Sequence, residues 1–176
     1  MKKVKLNEVA NTIIEALPKG ILLNSKSDQF NSMVIGWGSL GTNWSVPIFT
    51  VYVREHRFTR HQLDENPEFT ISIPLDGIDS KIAKICGSQS GRDIDKVKEA
   101  GLTLVPAQKV SVEAIKEYPL TLECKIIQKQ AMDLSTLESS FLRHYPQDVD
   151  GLSTGSNKDT HIAYTAQIVD AYIIED

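Results

Sequence analysis

Hydrophobic and polar residues alternate along several segments of the chain, and short apolar runs bounded by turn residues lie between them. Alternation with a period of two is typical of strands that bury one face and expose the other. Together these patterns predict six strands, at residues 21–23, 32–37, 48–53, 68–73, 120–126 and 162–174. The sequence therefore predicts a mainly β protein built on an antiparallel sheet or barrel.

Helical periodicity is limited to short segments. Residues 7–17 place their apolar side chains on one face, with Asn7 as a candidate cap and Pro18 at the end. Three further helices are predicted at residues 59–66, 78–86 and 93–100, and a fourth opens at Ser135. The helix at 59–66 starts with a capping-box pattern whose cap is Thr59. We expect one domain over residues 1–176, a β-barrel with short peripheral helices.

Residues 146–159 show no periodicity and are rich in Asp, Gly and Ser. A segment of this composition cannot bury enough apolar surface to offset the entropy lost on ordering. We therefore expect residues 146–159 to form a mobile loop that leads into the last strand.

Composition excludes several classes of protein. The chain has 176 residues, is 41% hydrophobic and has a formal net charge of −4, so it lacks the basic excess of a nucleic-acid-binding protein. Its apolar runs are far shorter than the roughly 20 residues that cross a bilayer. The two cysteines, Cys86 and Cys124, have no metal-binding spacing, and we expect buried free thiols in a reducing, cytoplasmic compartment.

Residues 36–41 match the dinucleotide-binding pattern G-x-G-x-x-G and follow a predicted strand. That motif also needs a helix after its third glycine, because the N-terminus of the helix receives the pyrophosphate. Here Pro47 and another strand follow, so a dinucleotide site of this type is excluded. The glycines instead indicate either a hairpin connection or a strand whose backbone a ligand ring can approach closely. Trp37 and Trp44 flank this segment.

Residues 54–61 concentrate three arginines and two histidines where a strand ends and a helix begins. A helix N-terminus has free N–H groups and a positive dipole end, and arginine binds phosphate or carboxylate in bidentate geometry. Phe58 adds an apolar ring, and Thr59 stands at the predicted cap. The segment indicates an anion site, and a solvated basic loop is the alternative.

Residues 87–93, Gly-Ser-Gln-Ser-Gly-Arg-Asp, lie between two predicted helices. Their glycines, hydroxyls and arginine favour a nest of N–H groups that can hold a phosphate or the polar edge of a heterocycle. The alternative is a flexible linker with Asp93 as the cap of the next helix.

These motifs, in this order, resemble the flavin reductase-like, FMN-binding split-barrel proteins, in particular the flavoredoxin-like branch. The segments that carry the resemblance are residues 31–41, 47–54, 57–59, 66–72 and 87–93. The resemblance implies a six-stranded antiparallel split β-barrel, a homodimer and one FMN per subunit near the dimer interface. The FMN-binding residues that it implies are Asn31, Met33, Val34, Ile35, Arg54, Arg57, Phe58, Thr59, Ser88, Ser90 and Arg92.

The last strand departs from the family pattern in one respect. The family often has a histidine, two residues, an aromatic residue, one residue and then Gly-Glu, whereas this chain has His161 and Tyr164 followed by Ala166 and Gln167. His161 is the candidate catalytic residue, because histidine is the usual acid–base group near neutral pH. From the residues alone, a structural or surface histidine is the alternative.

The resemblance implies an FMN-binding oxidoreductase that passes electrons from NAD(P)H through FMN to a flavin, a ferric chelate or a protein. Two alternatives stay open: an FMN-binding electron carrier reduced by a redox partner protein, and a flavin-less interaction module. In the first two cases we expect the loop at 146–159 to cover the open face of the flavin, with His161 at its hinge. No metal, nucleic acid or membrane is expected as a partner.

Overall fold

The computed structural model describes residues 1–148 and 158–175, and one antiparallel sheet dominates it. The ten strands are β1 (Lys2–Lys3), β2 (Ile21–Lys26), β3 (Phe30–Ile35), β4 (Gly38–Asn43), β5 (Val46–Arg54), β6 (Glu68–Ile73), β7 (Leu104–Val105), β8 (Ala114–Ile115), β9 (Leu120–Ala131) and β10 (His161–Ile173). The helices are α1 (Leu6–Ala16), α2 (Phe58–Glu65), α3 (Ser80–Ser88) and α4 (Lys96–Ala100). Short 3₁₀ turns occur at Leu17–Lys19, Leu134–Thr136 and Ser139–His144.

The main sheet has eight strands in the order β3-β2-β6-β9-β10-β5-β4, with β1 beside β10, and it is not closed. All six strands predicted from the pattern are present, as β2, β3, β5, β6, β9 and β10. The glycine-rich segment forms β4, which returns into β5 through a tight turn at Trp44 and Ser45, at φ of 47° and 60°. The predicted mainly β, antiparallel architecture is confirmed. The glycine-rich residues that match G-x-G-x-x-G lead into a β-hairpin, formed by β4 and β5, and not into a helix.

The core lies against strands that are buried along most of their length. Every residue of β2 except Lys26 is buried, and so is every residue of β6 except Glu68, because other strands pair with both edges of these two strands. In the middle of β2 the buried Asn24 amide donates to Thr70 and Ser72 of β6, and its oxygen accepts from Ser32 of β3. This network satisfies the polar side chains that the three strands bury together.

Several helix boundaries differ from the predictions. α1 begins at Leu6 with Lys5 in the cap position, so Asn7 is not its cap. α4 begins at Lys96 rather than at residue 93, because the Asp95 carboxylate accepts hydrogen bonds from two backbone N–H groups of the first turn. Asp93 is therefore not the cap of this helix.

The helix predicted to open at Ser135 is instead a pair of 3₁₀ turns. The Asp133 carboxylate accepts a hydrogen bond from the Ser135 N–H and so caps the first of these two 3₁₀ turns. The predicted mobile loop falls mostly on residues 149–157, which lie outside the described residues. Among the helices that the structure describes, none has the length and apolarity needed to cross a membrane.

Candidate functional site

The larger of two adjoining cavities lies between β3, the start of α2 and the connection from α3 to α4. It has a volume of about 680 Å³. Nine of the predicted site residues line it: Asn31, Met33, Val34, Arg57, Phe58, Thr59, Ser88, Ser90 and Arg92. The two anion-binding segments predicted separately, at 54–61 and 87–93, therefore face one another across a single cavity.

The N-terminus of α2 opens into this larger cavity. Arg57 occupies the cap position with an extended backbone, and within the described residues no side chain caps the helix. Thr59, predicted as the cap, lies inside the first turn, where its hydroxyl accepts a hydrogen bond of 2.9 Å from the Asn31 amide. The free N–H groups of the first turn thus remain available to an anion in the cavity.

The buried side chain of Asn31 gives the strongest indication that the larger cavity binds a ligand. Its side chain is 2% exposed, and its oxygen has no hydrogen-bond partner among the described residues. A Cβ atom at Gly91 would overlap this oxygen and lie 3.0 Å from the Phe58 ring, so glycine keeps the space beside it open. Buried polar atoms are nearly always paired, and a donor on a bound molecule would supply the missing bond.

The connection from α3 to α4 forms the opposite wall. The Ser90 hydroxyl accepts from the Arg92 N–H, and the Ser88 hydroxyl donates to a carbonyl one turn back in α3. The Arg92 guanidinium reaches across the cavity to the carbonyl of His56, 3.2 Å away, and lies over the Phe58 ring. Arg92 thus spans the two segments, whereas the serine hydroxyls are partly engaged within their own segment.

Lys96, which the sequence reading did not single out, lies beneath the same cavity and is 5% exposed. Its ammonium group donates to the carbonyl oxygens of Ser32 on β3, at 2.8 Å, and Cys86 on α3, at 3.2 Å. Burial lowers the pKa of Lys96 and raises the pKa of the Cys86 thiol. Cys86 is therefore held as a neutral thiol rather than as a nucleophile.

A smaller cavity of about 210 Å³ adjoins the first and shares Met33, Val34 and Arg57 with it. The other predicted residues, Ile35, Arg54 and His161, lie here rather than in the larger cavity. Its lining is completed by Gly36, Trp37 and Tyr52. The structure thus divides the predicted site into two compartments joined along β3.

Arg54 and His161 are paired across β5 and β10. The Arg54 guanidinium donates to the backbone carbonyls of His144, at 2.9 Å, and Asp159, at 2.5 Å. It also lies over the Tyr145 ring. Arg54 therefore ties together the two flanks of the segment that precedes β10, and its donors are turned toward those carbonyls.

His161 is buried, at 6% exposure, and is neither a surface residue nor isolated. Its Nδ1 atom lies 2.8 Å from the Tyr145 hydroxyl, and the Trp37 ring lies 5.1 Å from its ring centre. Burial, with the positive charges of Arg54 and Arg57, lowers its pKa to about 4. A neutral imidazole offers one donor and one acceptor, so near neutral pH His161 can orient a ligand by hydrogen bonding.

Neither Tyr145 nor His144 was anticipated from the sequence. His144 is the last residue of the 3₁₀ segment Ser139–His144 and Tyr145 follows it directly, and the His144 ring packs edge-on to Trp37. Trp37 itself was noted only as a flank of the glycine turn. Tertiary contacts bring these aromatic residues to the site, and no local sequence pattern predicts such contacts.

Comparison with known proteins gives a consistent result. The family described as flavin reductase like domain matches residues 15–176. A protein of Archaeoglobus fulgidus, named only as uncharacterised, is 28% identical over 124 residues, which are 70% of this chain and 69% of that protein.

Two solved structures are similar in fold. Flavoredoxin of Desulfovibrio vulgaris (Miyazaki F) is 23% identical with a TM-score of 0.64, over 89% of this chain and 69% of that one. The FMN-binding domain of a flavin reductases-like enzyme from Shewanella baltica OS155 is 17% identical with a TM-score of 0.67, over 97% and 75% of the two chains.

The low pKa of His161 makes stability depend on pH. Between about pH 6.5 and about pH 4 the unfolded chain takes up a proton on His161 that the folded protein does not, so stability falls as the pH falls through this window. In the variant His161→Asn we expect this loss to be smaller by up to about 3 kcal/mol. Denaturant unfolding at several pH values measures it.

The matched control is His61→Asn, because His61 is exposed at the rim of the larger cavity. This variant should keep the pH dependence of the parent. Parallel loss of stability in His161→Asn and the parent would show that His161 titrates normally in the folded state.

Proposed function

Because this chain belongs to the flavin reductase-like domain family, we propose that it is an FMN-binding oxidoreductase. The resemblance seen in the sequence motifs agrees with this family membership. Flavoredoxin and the Shewanella baltica domain, which share the fold, are described as a flavoredoxin and as an FMN-binding domain. Neither description by itself assigns a donor or an acceptor to this chain.

The observation that carries the proposal is the larger cavity, which brings two anion-binding segments together beside an unpaired buried oxygen. Its volume lies within the range of cofactor and ligand sites, about 300–1,000 Å³. The uncapped start of α2, with Arg57 and Arg92, suits a phosphate. The orphaned Asn31 oxygen and the space kept by Gly91 suit a polar group with a proton to donate. The residues present therefore fit FMN.

In this proposal β3 provides the wall along which a flat ring lies, through Met33, Val34 and Ile35. Thr59, Phe58 and Arg57 hold the phosphate end, and Ser88, Ser90 and Arg92 close the site from the other side. Bound FMN would supply the transfer of hydride and electrons, while the protein supplies orientation and surrounding charge. His161, neutral and anchored by Tyr145, would orient the molecule that exchanges electrons with the flavin.

We propose NAD(P)H as the electron donor and a flavin, a ferric chelate or a protein as the acceptor. A second candidate, an FMN-binding electron carrier reduced by a partner protein, is favoured by one observation. Ala166 and Gln167 occupy the β10 positions where the family often has Gly-Glu, and Ala166 is fully buried against β5. A neutral amide there removes the negative charge that a glutamate would supply.

We also propose a homodimer in a cytoplasmic compartment. β3 and β4 end the sheet, and open sheet edges are commonly covered by a symmetric partner. Trp44, at the tip of the β4–β5 hairpin, is 55% exposed. The two buried, unpaired cysteines suit a reducing compartment.

Substitution of Gly91 tests the FMN site. In Gly91→Ala the new methyl group must displace Asn31 or Phe58, so we expect the dissociation constant of FMN to rise roughly tenfold or more. Gly41→Ala is the control, because a Cβ there would have no atom within 4 Å and Gly41 lies outside both cavities. Quenching of FMN fluorescence on binding measures both, and equal constants would argue against the assigned cavity.

Reduction of the bound flavin tests the donor. When NADH or NADPH is added without oxygen to the FMN-loaded protein, we expect the visible flavin absorbance to bleach within seconds to minutes. Dithionite provides the positive control for a reducible flavin. Bleaching by dithionite alone would support the electron carrier and rule out NAD(P)H as the direct donor.

The oligomeric state tests the proposed dimer. Size-exclusion chromatography with light scattering at micromolar concentration should give twice the chain mass of 19.6 kDa. A mass equal to one chain, with FMN bound, would contradict the dimer while leaving the FMN site standing.

A further inference from the structure

A series of hydrogen bonds outside the larger cavity joins its two walls. The Ser25 hydroxyl of β2 donates to the Gln62 side chain of α2 at 2.7 Å, and the Gln62 amide donates to the backbone carbonyl of Gln29 at 2.6 Å. The Gln29 amide then donates to the carbonyl of Gly91 at 2.8 Å. Ser25, Gln62 and Gln29 do not line the larger cavity. This glutamine relay, formed by Ser25, Gln62, Gln29 and Gly91, therefore links α2 to the segment 87–93.

Gln62 is the fixed end of the glutamine relay. Its side chain is 1% exposed, and its oxygen and its nitrogen are both hydrogen-bonded. A buried amide with satisfied hydrogen bonds holds its partners in one arrangement. Gln62 thus fixes the backbone of Gln29, the residue directly before β3, against α2. Gln29 is itself exposed, and its side chain extends from this fixed backbone to Gly91.

The segment 87–93 has few other contacts that fix its position. It connects the end of α3 to the start of α4, and within the described residues only two hydrogen bonds join residues 89–93 to elements other than these helices. The bond from Arg92 to the His56 carbonyl is 3.2 Å long, and the bond from Gln29 to Gly91 is shorter. Segments with few fixed contacts open locally at low cost in free energy. The position of Gly91 and Arg92 therefore depends on Gln29.

A small displacement of this segment would change the site. Gly91 lies so close to the unpaired Asn31 oxygen that a Cβ atom would not fit between them, so a shift of Gly91 changes the space beside that oxygen. The next residue, Arg92, places its guanidinium over the Phe58 ring at the start of α2. Arginine binds phosphate best in bidentate geometry, which requires a defined position of the guanidinium.

We propose that Gln29 is a positioning residue for the phosphate end of the larger cavity. It holds Gly91 and Arg92 at their distance from α2 through a hydrogen bond to the backbone, without lining the cavity itself. The inference rests on the proposed function and deepens it, because it takes the FMN phosphate to lie between α2 and the segment 87–93. Gln29 thereby contributes to the selection of a phosphorylated flavin over a flavin without phosphate.

The variant Gln29→Met tests this role, because methionine keeps the length of the side chain and removes the donor to Gly91. The backbone carbonyl that accepts from Gln62 remains. Titration followed by flavin fluorescence should give a dissociation constant for FMN about fivefold higher than in the parent, and an unchanged constant for riboflavin, which has no phosphate. The free energy of unfolding of the flavin-free variant should match the parent, because Gln29 is exposed.

Two further variants complete the test. Gln128→Met is the matched control, since Gln128 is an exposed glutamine of β9 outside both cavities, and it should bind both flavins as the parent does. Arg92→Met shows whether Gln29 acts through Arg92. If it does, adding Gln29→Met to Arg92→Met should raise the FMN dissociation constant less than twofold further, because coupled residues are not additive.

The results that contradict the inference differ from those that contradict the proposed function. An unchanged FMN constant in Gln29→Met, or equal loss of FMN and riboflavin affinity, would overturn the inference and leave the FMN site standing. A full fivefold effect in the Arg92→Met background would overturn it as well. A lower free energy of unfolding of flavin-free Gln29→Met would give Gln29 a structural role instead. Absence of binding of either flavin to the parent would overturn the proposed function, and the inference with it.

Discussion

The buried ammonium group of Lys96 holds the two walls of the larger cavity in place. It donates to a carbonyl of β3 on one side and to a carbonyl of α3 on the other. Burial disfavours its charged form, and these carbonyl dipoles compensate in part for the water it has lost. β3 ends the sheet in the part of the chain that the structure describes, and α3 and α4 pack beside it. The position of Asn31 and Met33, and with it the shape of the cavity, follows from this junction.

Much of the sheet could be predicted because its signal is local. Six strands were recognisable, either from alternation, because successive side chains of a strand point to opposite faces of the sheet, or from short apolar runs, because some strands are buried on both faces. The boundaries of the helices were harder to predict from the sequence. Asp95 and Asp133 cap their turns in competition with other polar residues nearby, and the choice between such candidates depends on tertiary packing. Thr59 matched a capping pattern but is engaged by Asn31, a partner 28 residues away.

The candidate site was predictable in its composition and less so in its arrangement. Glycines, hydroxyls and arginines near helix ends indicate anion binding from the sequence alone, and five such predicted residues share one cavity: Arg57, Thr59, Ser88, Ser90 and Arg92. Nothing local indicated that Arg54 would turn to the carbonyls before β10, or that Trp37 and Tyr145 would contact His161. The Arg54–His144 and Trp37–His144 contacts join residues at least 90 positions apart, and only the completed fold brings them together.

The pairing of β10 with β5 has a consequence for how the chain acquires its structure. His161 to Gln167 lie beside Ile48 to Arg54, so the middle of the sheet joins residues more than 100 positions apart. A nascent chain on the ribosome cannot form this pairing until β10 has left the exit tunnel, and until then β5 presents an unpaired edge. Non-local pairing of this kind slows folding and prolongs exposure to aggregation. Completion of the sheet is thus a late event in the life of each newly made molecule, and so is assembly of the smaller cavity, to which β10 contributes His161.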